Sequence, residues 1–202
     1  MLTRSLEPNE TQPPAAGEED ERALMARVGA GDSGAFRQLV GRHMRHVHAL
    51  AWRMLGDAAE AEDVVQESFV KLWVNASGWT PSGGGLGAWL RRVATNACLD
   101  RLRRPRVVSD DVLAAHADDA PSADVLIDAE RRRAAVAGAI RALPDRQRAA
   151  IVLTYQEGVP NAEAASILGI GVKALESLLV RARKTLSVAL AGQGLLPQGA
   201  EE

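Results

Sequence analysis

One stretch decides the fold of this chain, residues 158–187, GVPNAEAASILGIGVKALESLLVRARKTLS. Asn161 is a good N-cap for a short first helix that continues through Leu168, because its side chain can accept a hydrogen bond from a free backbone N–H. Gly169 and Gly171 bracket a sharp turn, since a residue without Cβ tolerates the backbone angles that such a turn needs. A second helix follows, so the stretch predicts a helix-turn-helix.

The second helix, which we predict from about Val172 to Ser187, has an apolar side and a basic side. At 100° per residue, one stripe is apolar and is expected to face the core: Val172, Leu175, Leu179, Ala182 and Leu186. The opposite side carries polar and basic groups: Lys173, Ser177, Arg181 and Lys184. Such a helix can lie in the major groove of duplex DNA, with its first turns at base edges and its later cations near phosphates. An ordinary solvated helix is the alternative, but the short helix and glycine turn before it favour DNA binding.

The composition favours packed helices over a sheet. The 202 residues allow one or two domains, and 47% of them are hydrophobic, whereas only 3% are aromatic. No apolar run approaches the roughly 20 residues that a membrane span needs, and the polar amino terminus lacks the apolar segment of a signal peptide. Cys98 is the single cysteine and fits a reducing compartment. We therefore expect an all-α, soluble, cytoplasmic protein without membrane insertion.

The charge is distributed unevenly, although the net charge is only −2. Residues 91–106 contain six arginines and one acid, and residues 173–184 contain four cations and one acid. By contrast, residues 109–130 contain seven acids and neither lysine nor arginine, and residues 1–21 contain six acids and one arginine. Two basic patches separated by acidic stretches predict two contacts with DNA, and the acidic stretches are candidates for masking them.

Composition and turn signals divide the chain into five segments. We predict a disordered tail, a helical domain, a flexible acidic linker, a second helical domain and another tail, with bounds of 1–20, 21–105, 106–122, 123–191 and 192–202. In the first domain we expect helices over Ala23–Gly29, from a Ser33 cap to Gly56, over Glu60–Val74 and over Leu86–Arg104, with a loop over Ser77–Gly87. In the second domain, Pro144 begins a helix that Gly158 ends.

The third predicted helix has an unusual outer surface. Its apolar stripe is expected to face the core: Ala61, Val65, Phe69 and Leu72, with Ser68 among them. The far side combines carboxylates with valines: Asp63, Gln66, Glu67, Val70 and Val74. A small apolar centre with a polar rim is typical of a protein-docking patch, and the alternative is an ordinary wet face with two stray valines.

The fourth predicted helix is basic on its outer face. Its apolar positions are expected to face the core: Leu86, Leu90, Val93, Ala94 and Ala97. Arg92, Asn96 and Arg103 line up outward, with Leu99 and Asp100 beside them. Asparagine can hydrogen-bond a base edge, and arginine can hold a phosphate or a base. Because a flexible loop precedes the helix, this face predicts binding of an unstacked base in single-stranded DNA. The alternative is that the arginines only solvate the helix end.

Four motifs together resemble the bacterial RNA polymerase sigma factors of the sigma-70 family. They are EAEDVVQESFVKLW at 60–73, AWLRRVATNACLDRLRR at 88–104, LPDRQR at 143–148 and the helix-turn-helix. More narrowly, the chain is similar to the extracytoplasmic-function (ECF) group, which keeps only sigma domains two and four. The similarity covers residues 22–104 and 125–188, in the right order and spacing. It implies an alternative sigma factor that binds core RNA polymerase and directs promoter recognition and melting.

The resemblance implies roles for three sets of residues. The set matching the family's core-polymerase surface is Asp63, Gln66, Glu67 and Val70. The set matching the reader of the minus-ten promoter element is Arg92 and Asn96 at nucleotides, with Arg103 and Arg104 at phosphates. The set matching the reader of the minus-thirty-five element is Lys173, Ala174, Glu176, Ser177, Arg181 and Lys184. The loop over Ser77–Gly87 matches the one that helps to capture a flipped base.

Two positions depart from the family pattern, because many relatives carry basic residues where this chain has Glu176 and Leu178. Glu176 can accept a hydrogen bond from cytosine N4, and the sequence of the minus-thirty-five element does not follow from this chain. The resemblance also implies an anti-sigma partner, since family members are often held inactive by such a protein wedged between the two domains.

No catalytic activity, cofactor or metal is expected, because the sequence has no P-loop, paired-carboxylate or Cys/His zinc pattern. Three other functions stay open at this point. The chain can be a stand-alone helix-turn-helix transcription regulator, with residues 22–104 as a dimerising or sensing domain. It can also be an enzyme that acts on nucleic acid, or a sigma mimic that docks other regulators.

Overall fold

The computed structural model describes residues 16–80, 84–103 and 123–195, and every regular element in these ranges is helical. The amino-terminal half contains α1 (Ala16–Gly29), α2 (Ser33–Leu55), α3 (Ala58–Asn75), a 3₁₀ turn (Ala76–Gly78) and α4 (Gly85–Leu102). The carboxyl-terminal half contains α5 (Ala123–Arg141), α6 (Asp145–Ile151), a π turn (Val152–Gln156), α7 (Asn161–Ile167) and α8 (Val172–Gly192). The predicted all-α class is therefore confirmed.

Some predictions lie outside the described residues. They are the linker over 106–122, Arg104, residues 81–83 of the loop, residues 1–15 of the first tail and residues 196–202 of the second. Within the described ranges, no helix combines the length and the apolar character that crossing a bilayer requires. The segment before α4 is only partly a loop, because the 3₁₀ turn occupies its start and α4 begins at Gly85.

Two helix starts differ from the sequence-based expectation. Helix α1 begins at Ala16 and not near residue 21, since residues 15–29 contain no proline and the acidic run over 18–21 favours a helix amino terminus. Helix α2 is capped by Asp32 and not by Ser33. The Oδ1 atom of Asp32 accepts hydrogen bonds from the N–H groups of Gly34 and Ala35, at 2.7 and 3.1 Å. The predicted Ser33 cap is therefore wrong by one residue.

Gly56 ends α2 because its backbone is left-handed, with a φ of 69°. Its N–H donates to the carbonyl of Trp52 at 2.8 Å. A Cβ built there would lie 2.4 Å from Cδ of Arg141, so the space is also taken by α5. Asp57 then caps α3 by accepting a hydrogen bond from the N–H of Glu60 at 3.0 Å. This pair of residues turns the chain sharply between two long antiparallel helices.

One hydrophobic core runs through both halves. Helix α2 is central, because it packs against α1, α3 and α4 in its own half and against α5 and the π turn in the other. The side chains buried most deeply come from both halves: Leu39, Leu50, Met54, Leu72, Leu90, Leu143, Leu153 and Leu175. The two predicted helical units therefore lie against each other in this structure.

Helices α3 and α4 bury residues that lie outside the apolar stripe predicted from the sequence. On α3, Val64 is fully buried and Val65 only partly, because α3 lies between α2 and α4. On α4, Leu99 is buried although it was placed beside the outer face, and Val93 is only partly covered although it was placed in the core. Helix α4 contacts α6 and α7 as well as α2 and α3, so neighbours cover it from both halves.

The helix-turn-helix is present with two local differences. Pro160 occupies the N-cap position of α7, and Asn161 is the first helical residue, without a capping hydrogen bond from its side chain. The predicted Asn161 cap is wrong because the extended backbone of Pro160, with φ −56° and ψ 145°, already sets the entry into the helix. Only Gly169 uses a left-handed backbone, with a φ of 64°, whereas Gly171 has a φ of −74° that any residue adopts. Helix α8 continues past Ser187 to Gly192.

Arg148 of α6 ties the two halves together from inside. Its side chain is 8% exposed. Its Nη1 atom donates to the carbonyl of Met54 at 2.7 Å, and its Nη2 atom donates to the carbonyl of Leu143 at 3.2 Å. Met54 lies in the last turn of α2, where carbonyl groups have no partner within the helix. The guanidinium thus supplies a donor and a positive charge to the carboxyl end of α2.

We expect Arg148→Met to lower the free energy of unfolding by roughly 2–4 kcal/mol, because two buried carbonyl groups lose their donor at about 1–3 kcal/mol each. Urea denaturation followed by circular dichroism at 222 nm measures it. The control is Arg146→Met at an exposed position of the same helix, which should change stability by less than about 0.5 kcal/mol. Equal changes in the free energy of unfolding would show that the buried guanidinium does not stabilise the contact between the halves.

Candidate functional site

The outer surface of α3 combines exposed apolar and polar side chains. Asp63 and Gln66 are exposed, and Val70 and Val74 are 61% and 70% exposed. Trp73, which the sequence analysis did not include, is 39% exposed on the same face. Its ring packs edge-on against Phe36 with the centroids 5.1 Å apart, so it is held in place. We call Asp63, Gln66, Glu67, Val70, Trp73 and Val74 the α3 surface. Trp73 follows Val70 by three residues, and this helical spacing could have placed Trp73 on the same face in the sequence analysis.

Glu67 differs from the rest of the α3 surface, because both of its oxygens are engaged. Its Oε1 atom accepts from Lys71 at 2.7 Å, and its Oε2 atom accepts from Arg101 of α4 at 2.9 Å. Arg101 also lies 3.0 Å from Oε2 of Glu60, and its side chain is only 14% exposed. The hydrogen bonds from Lys71 and then Arg101 hold the pKa of Glu67 below its usual value. Glu67 thus joins α3 to α4 as well as facing solvent.

A groove between α2 and α3 adjoins the α3 surface. Gln66 lines both features. The other lining residues are mostly apolar or basic and include Met44, Arg45, His48, Trp52 and Val65, with Glu62 as the acidic member. Met44 is 45% exposed, so a large apolar side chain is open to solvent at the edge of the groove. The apolar area available for docking therefore extends from α3 onto α2.

The outer face of α4 carries the predicted basic set, which we call the α4 surface: Arg92, Asn96 and Arg103, with Arg104 outside the described residues. Asn96 is exposed. Arg103 is exposed and lies 3.3 Å from Oδ1 of Asp100. Arg92 is exposed as well, and its Nη2 atom donates to Oγ of Ser166 on α7 at 2.8 Å. The structure therefore brings these residues onto one face but engages one of them with the other half.

The inner side of α4 contains Cys98, which is fully buried. Burial raises the pKa of its thiol to about 12, so the thiol is protonated at neutral pH. Cys98 is thus a small residue of the core, and this geometry does not favour a reactive thiolate. Within the described part of the chain, no three histidine, cysteine or acidic side chains stand close enough to hold a metal ion.

The outer face of α8 presents six predicted residues to solvent, and we call them the α8 surface: Lys173, Ala174, Glu176, Ser177, Arg181 and Lys184. Leu175, Leu179 and Ala182 on the opposite face are buried against the rest of the half. Val172 is 41% exposed, so the apolar stripe begins one turn later than predicted. The hydroxyl of Ser177 donates to the carbonyl of Lys173 at 3.0 Å, which leaves its oxygen able to accept.

Sequence analysis missed a group of polar residues where the two halves meet. Arg91 of α4 donates from Nη2 to Oε1 of Glu163 on α7 at 3.0 Å. Glu157, after the π turn, lies 2.5 Å from Nη1 of Arg53 and 2.7 Å from Nε2 of His46, both on α2. No local pattern could have indicated these pairs, because the partners are far apart in the sequence.

The pKa of Glu67 generates a prediction about pH. A lowered pKa contributes stability that is present above the unfolded-state value of 4.5 and is lost as pH falls through the lower folded-state value. We expect Glu67→Gln to be less stable than the parent at pH 7 by no more than about 1 kcal/mol, because solvent screens a group that is 37% exposed. The difference should shrink as the pH falls below about 4.5.

Thermal unfolding of both proteins between pH 3 and pH 8 measures this difference. Glu62→Gln on the same helix is the matched control, because its side chain is exposed. The control should have no comparable loss at pH 7. A pH-independent difference between Glu67→Gln and the parent would mean that lost packing, and not the charge, stabilises the α3–α4 contact.

Comparison with known proteins identifies two regions of the chain. Residues 39–107 match Sigma-70 region 2, a range that contains α3, α4 and most of α2. Residues 133–186 match Sigma-70 region 4, a range that contains α6, α7 and most of α8. The two regions occur in this order on one chain, which argues against a stand-alone helix-turn-helix regulator.

Three relatives extend over most of the chain. The ECF RNA polymerase sigma factor SigK of Mycolicibacterium vanbaalenii is 34% identical over 177 residues, covering 83% of this chain and 89% of the relative. The RNA polymerase sigma factor CnrH of Cupriavidus metallidurans is 35% identical over 184 residues, covering 86% and 95%. The structure of CnrH with the cytosolic domain of CnrY superposes with a TM-score of 0.61, at 31% identity, over 86% of this chain and 98% of that one.

The third relative is RpoE of Bartonella quintana, solved in complex with the anti-sigma factor NepR. It superposes with a TM-score of 0.61, at 25% identity, over 77% of this chain and 96% of that one. SigK and CnrH are more than 30% identical to this chain over most of both sequences, and two family regions match. This similarity shows common family membership and not only a shared helical fold. The chain therefore belongs to the ECF RNA polymerase sigma factors.

Proposed function

We propose that this sigma factor binds core RNA polymerase in the cytoplasm and directs it to a specific set of promoters, where it takes part in recognition and melting. The observation that supports the proposal is that the α3 surface and the α8 surface are both exposed in one all-helical chain. The chain supplies binding energy only. Nucleotide addition belongs to the polymerase.

The α3 surface is the proposed site for core polymerase. Val70, Trp73 and Val74 give it an apolar centre, and Asp63 and Gln66 give it a polar rim. Trp73 is a suitable anchor because its ring is already held against Phe36 and loses little freedom on binding. Glu67 sets the position of α3 on α4 through Arg101 and contributes charge at the same edge.

The α4 surface is the proposed site for the minus-ten element. Asn96 is exposed and can pair with a base edge, whereas Arg92 and Arg103 are suited to nucleotides and phosphates. Contacts of this kind are stronger when the bases are unstacked. Binding therefore shifts the equilibrium toward melted DNA without any covalent step.

The α8 surface is the proposed site for the minus-thirty-five element. Lys173, Ala174, Glu176 and Ser177 lie in the first turns of the helix, where side chains of a helix-turn-helix reach base edges. Arg181 and Lys184 lie further along, near the expected path of phosphates. Glu176 is suited to accept a hydrogen bond from cytosine N4.

An anti-sigma factor is the proposed regulator. RpoE of Bartonella quintana is solved with such a protein and superposes over most of this chain. We propose that such a partner contacts both halves, which the acidic segment over 106–122 joins in the sequence.

In vitro transcription with purified core enzyme on a library of genomic promoters tests the proposed function. We expect transcripts from a small set of start sites that share sequences near minus ten and minus thirty-five. The control is core enzyme alone. The proposal fails if the folded, soluble chain brings core enzyme to no start site.

We expect Val70→Glu to weaken binding to core polymerase by roughly tenfold or more, because a charge in the apolar centre is desolvated without a partner. Fluorescence anisotropy of the labelled chain titrated with core enzyme measures the dissociation constant. Ala26→Glu at an exposed position of α1 is the control, since it adds the same charge outside the three surfaces. If both variants bind core enzyme as the parent does, the docking site lies elsewhere.

We expect Asn96→Ala to reduce open-complex formation by roughly tenfold, since it removes a base contact worth about 1–3 kcal/mol, and to leave core binding unchanged. Permanganate reactivity of unpaired thymines on a promoter from the library measures melting. The control is Gln38→Ala, an exposed polar residue of α2. Equal loss of core binding and melting in Asn96→Ala would contradict the assignment.

A further inference from the structure

Helix α1 ends in a close backbone contact with the segment that leads to α4. A Cβ built on Gly29, the last residue of α1, would lie 3.0 Å from Cα of Ser77, 3.2 Å from its backbone nitrogen and 3.2 Å from the carbonyl oxygen of Ala76. All three atoms belong to the backbone of the 3₁₀ turn, so no side-chain rotation can relieve the contact. Gly29 does not have a left-handed backbone. Glycine is therefore needed here for space and not for its φ angle.

Helix α1 is fixed to the rest of the amino-terminal half along its length. Near its start, Glu21 lies 2.8 Å from Nε2 of His43 on α2. Near its end, Arg27 donates from Nε and Nη2 to Oδ2 of Asp32, at 2.9 and 2.6 Å. Three side chains between these contacts are buried in the core: Leu24, Met25 and Val28. A larger residue at position 29 therefore displaces the 3₁₀ turn more readily than it displaces α1.

The 3₁₀ turn passes such a displacement on to Trp79. The carbonyl of Ala76, which faces Gly29, also accepts the hydrogen bond from the N–H of Trp79, at 3.3 Å. This bond is longer than is usual for N–H donors, and 3₁₀ geometry is weaker than that of an α-helix. The ring of Trp79 is partly buried against the core. A shift at Ala76 therefore changes where Trp79 lies.

A second glycine fixes the other described end of the same segment. Gly84 precedes α4 and has a left-handed backbone, with a φ of 93°. A Cβ there would lie 2.6 Å from Cβ of Ala88, in the first turn of α4. Because α4 holds this end, a shift of the 3₁₀ turn changes the spacing between Trp79 and α4.

We propose that Gly29 is a positioning residue for the minus-ten element. By letting α1 lie on the backbone of Ala76 and Ser77, it sets the segment that leads into the α4 surface. This step rests on the proposed function of the α4 surface. Binding groups have to be held within about 0.5 Å of their productive position. A Cβ at Gly29 forces a shift of a few tenths of an ångström, so it uses up much of that tolerance.

The role belongs to a helix outside the matched family regions. The match to Sigma-70 region 2 begins at residue 39, so it includes the 3₁₀ turn and α4 but not α1. Gly29 contacts neither the proposed core-binding residues nor the proposed nucleotide-binding residues by the three nearest atoms that a Cβ would meet. It acts through the position of the turn.

The first measurement tests the geometry in the full chain with Gly29→Ala and Gly29→Val. The controls are Gly138→Ala and Gly138→Val, because Gly138 lies inside α5 and a Cβ there meets nothing within 4 Å. The chain has four tryptophans, and after fluorotryptophan labelling the change Trp79→Phe assigns the fluorine resonance of Trp79. We expect this resonance to shift in both Gly29 variants, and further with valine, but not in the controls.

The second measurement is promoter melting with core enzyme, followed by permanganate reactivity. We expect melting to fall by about threefold in Gly29→Ala and by about tenfold or more in Gly29→Val. The dissociation constant for core enzyme should stay within about twofold of the parent value, as should binding of the holoenzyme to a duplex with only the minus-thirty-five element. A general loss of structure would weaken all three together. If Gly29→Val does not fold, Gly29→Ala decides the test.

Three results would overturn the proposal. An unchanged Trp79 resonance would show that α1 does not set the position of the turn. A shifted resonance with parental melting would show that this position does not matter for the minus-ten element. Equal loss of core binding and melting would assign the end of α1 to the core contact. Absence of melting with the parent chain would contradict the proposed function itself, whereas parental melting in both Gly29 variants would contradict this inference alone.

Discussion

The contact between the end of α2 and the segment that runs from α6 through the π turn determines how the rest of the molecule is arranged. Arg148 donates to the carbonyl of Met54, and Glu157 accepts from Arg53 one residue away on the same helix end. The Arg148 guanidinium and the Glu157 carboxylate are thus both buried, and each has a partner on α2 in the other half. Buried charges are stable only in such defined geometry, so this contact fixes one orientation of the halves.

In that orientation the three proposed recognition surfaces differ in their contacts with the other half. The α3 and α8 surfaces face solvent, with their apolar and basic side chains available to partners. The α4 surface lies at the junction, and its first arginine is bonded to Ser166. Of the described residues of the α4 surface, Arg92 contacts the other half, whereas Asn96 and Arg103 face solvent. The proposed core-binding surface stays accessible throughout.

Much of the fold follows from periodicity and from turn residues. The positions of the helices, the glycine turn before α8 and the outward placement of Asn96, Lys173 and Arg181 were all predictable, because they depend on local spacing. The caps were less predictable, since Asp32 and Ser33 are both good capping residues and only geometry selects one.

The sequence by itself determined the helical class, the order of the two sigma regions and the residue types on each outer face, because these are written in local pattern and motif. Only the tertiary structure decided that Leu99 is covered, that Phe36 holds the ring of Trp73 and that Glu163 pairs with Arg91. Each of these depends on contacts between residues distant along the chain. Such contacts do not change the local spacing of residue types, so they cannot be predicted from either segment alone.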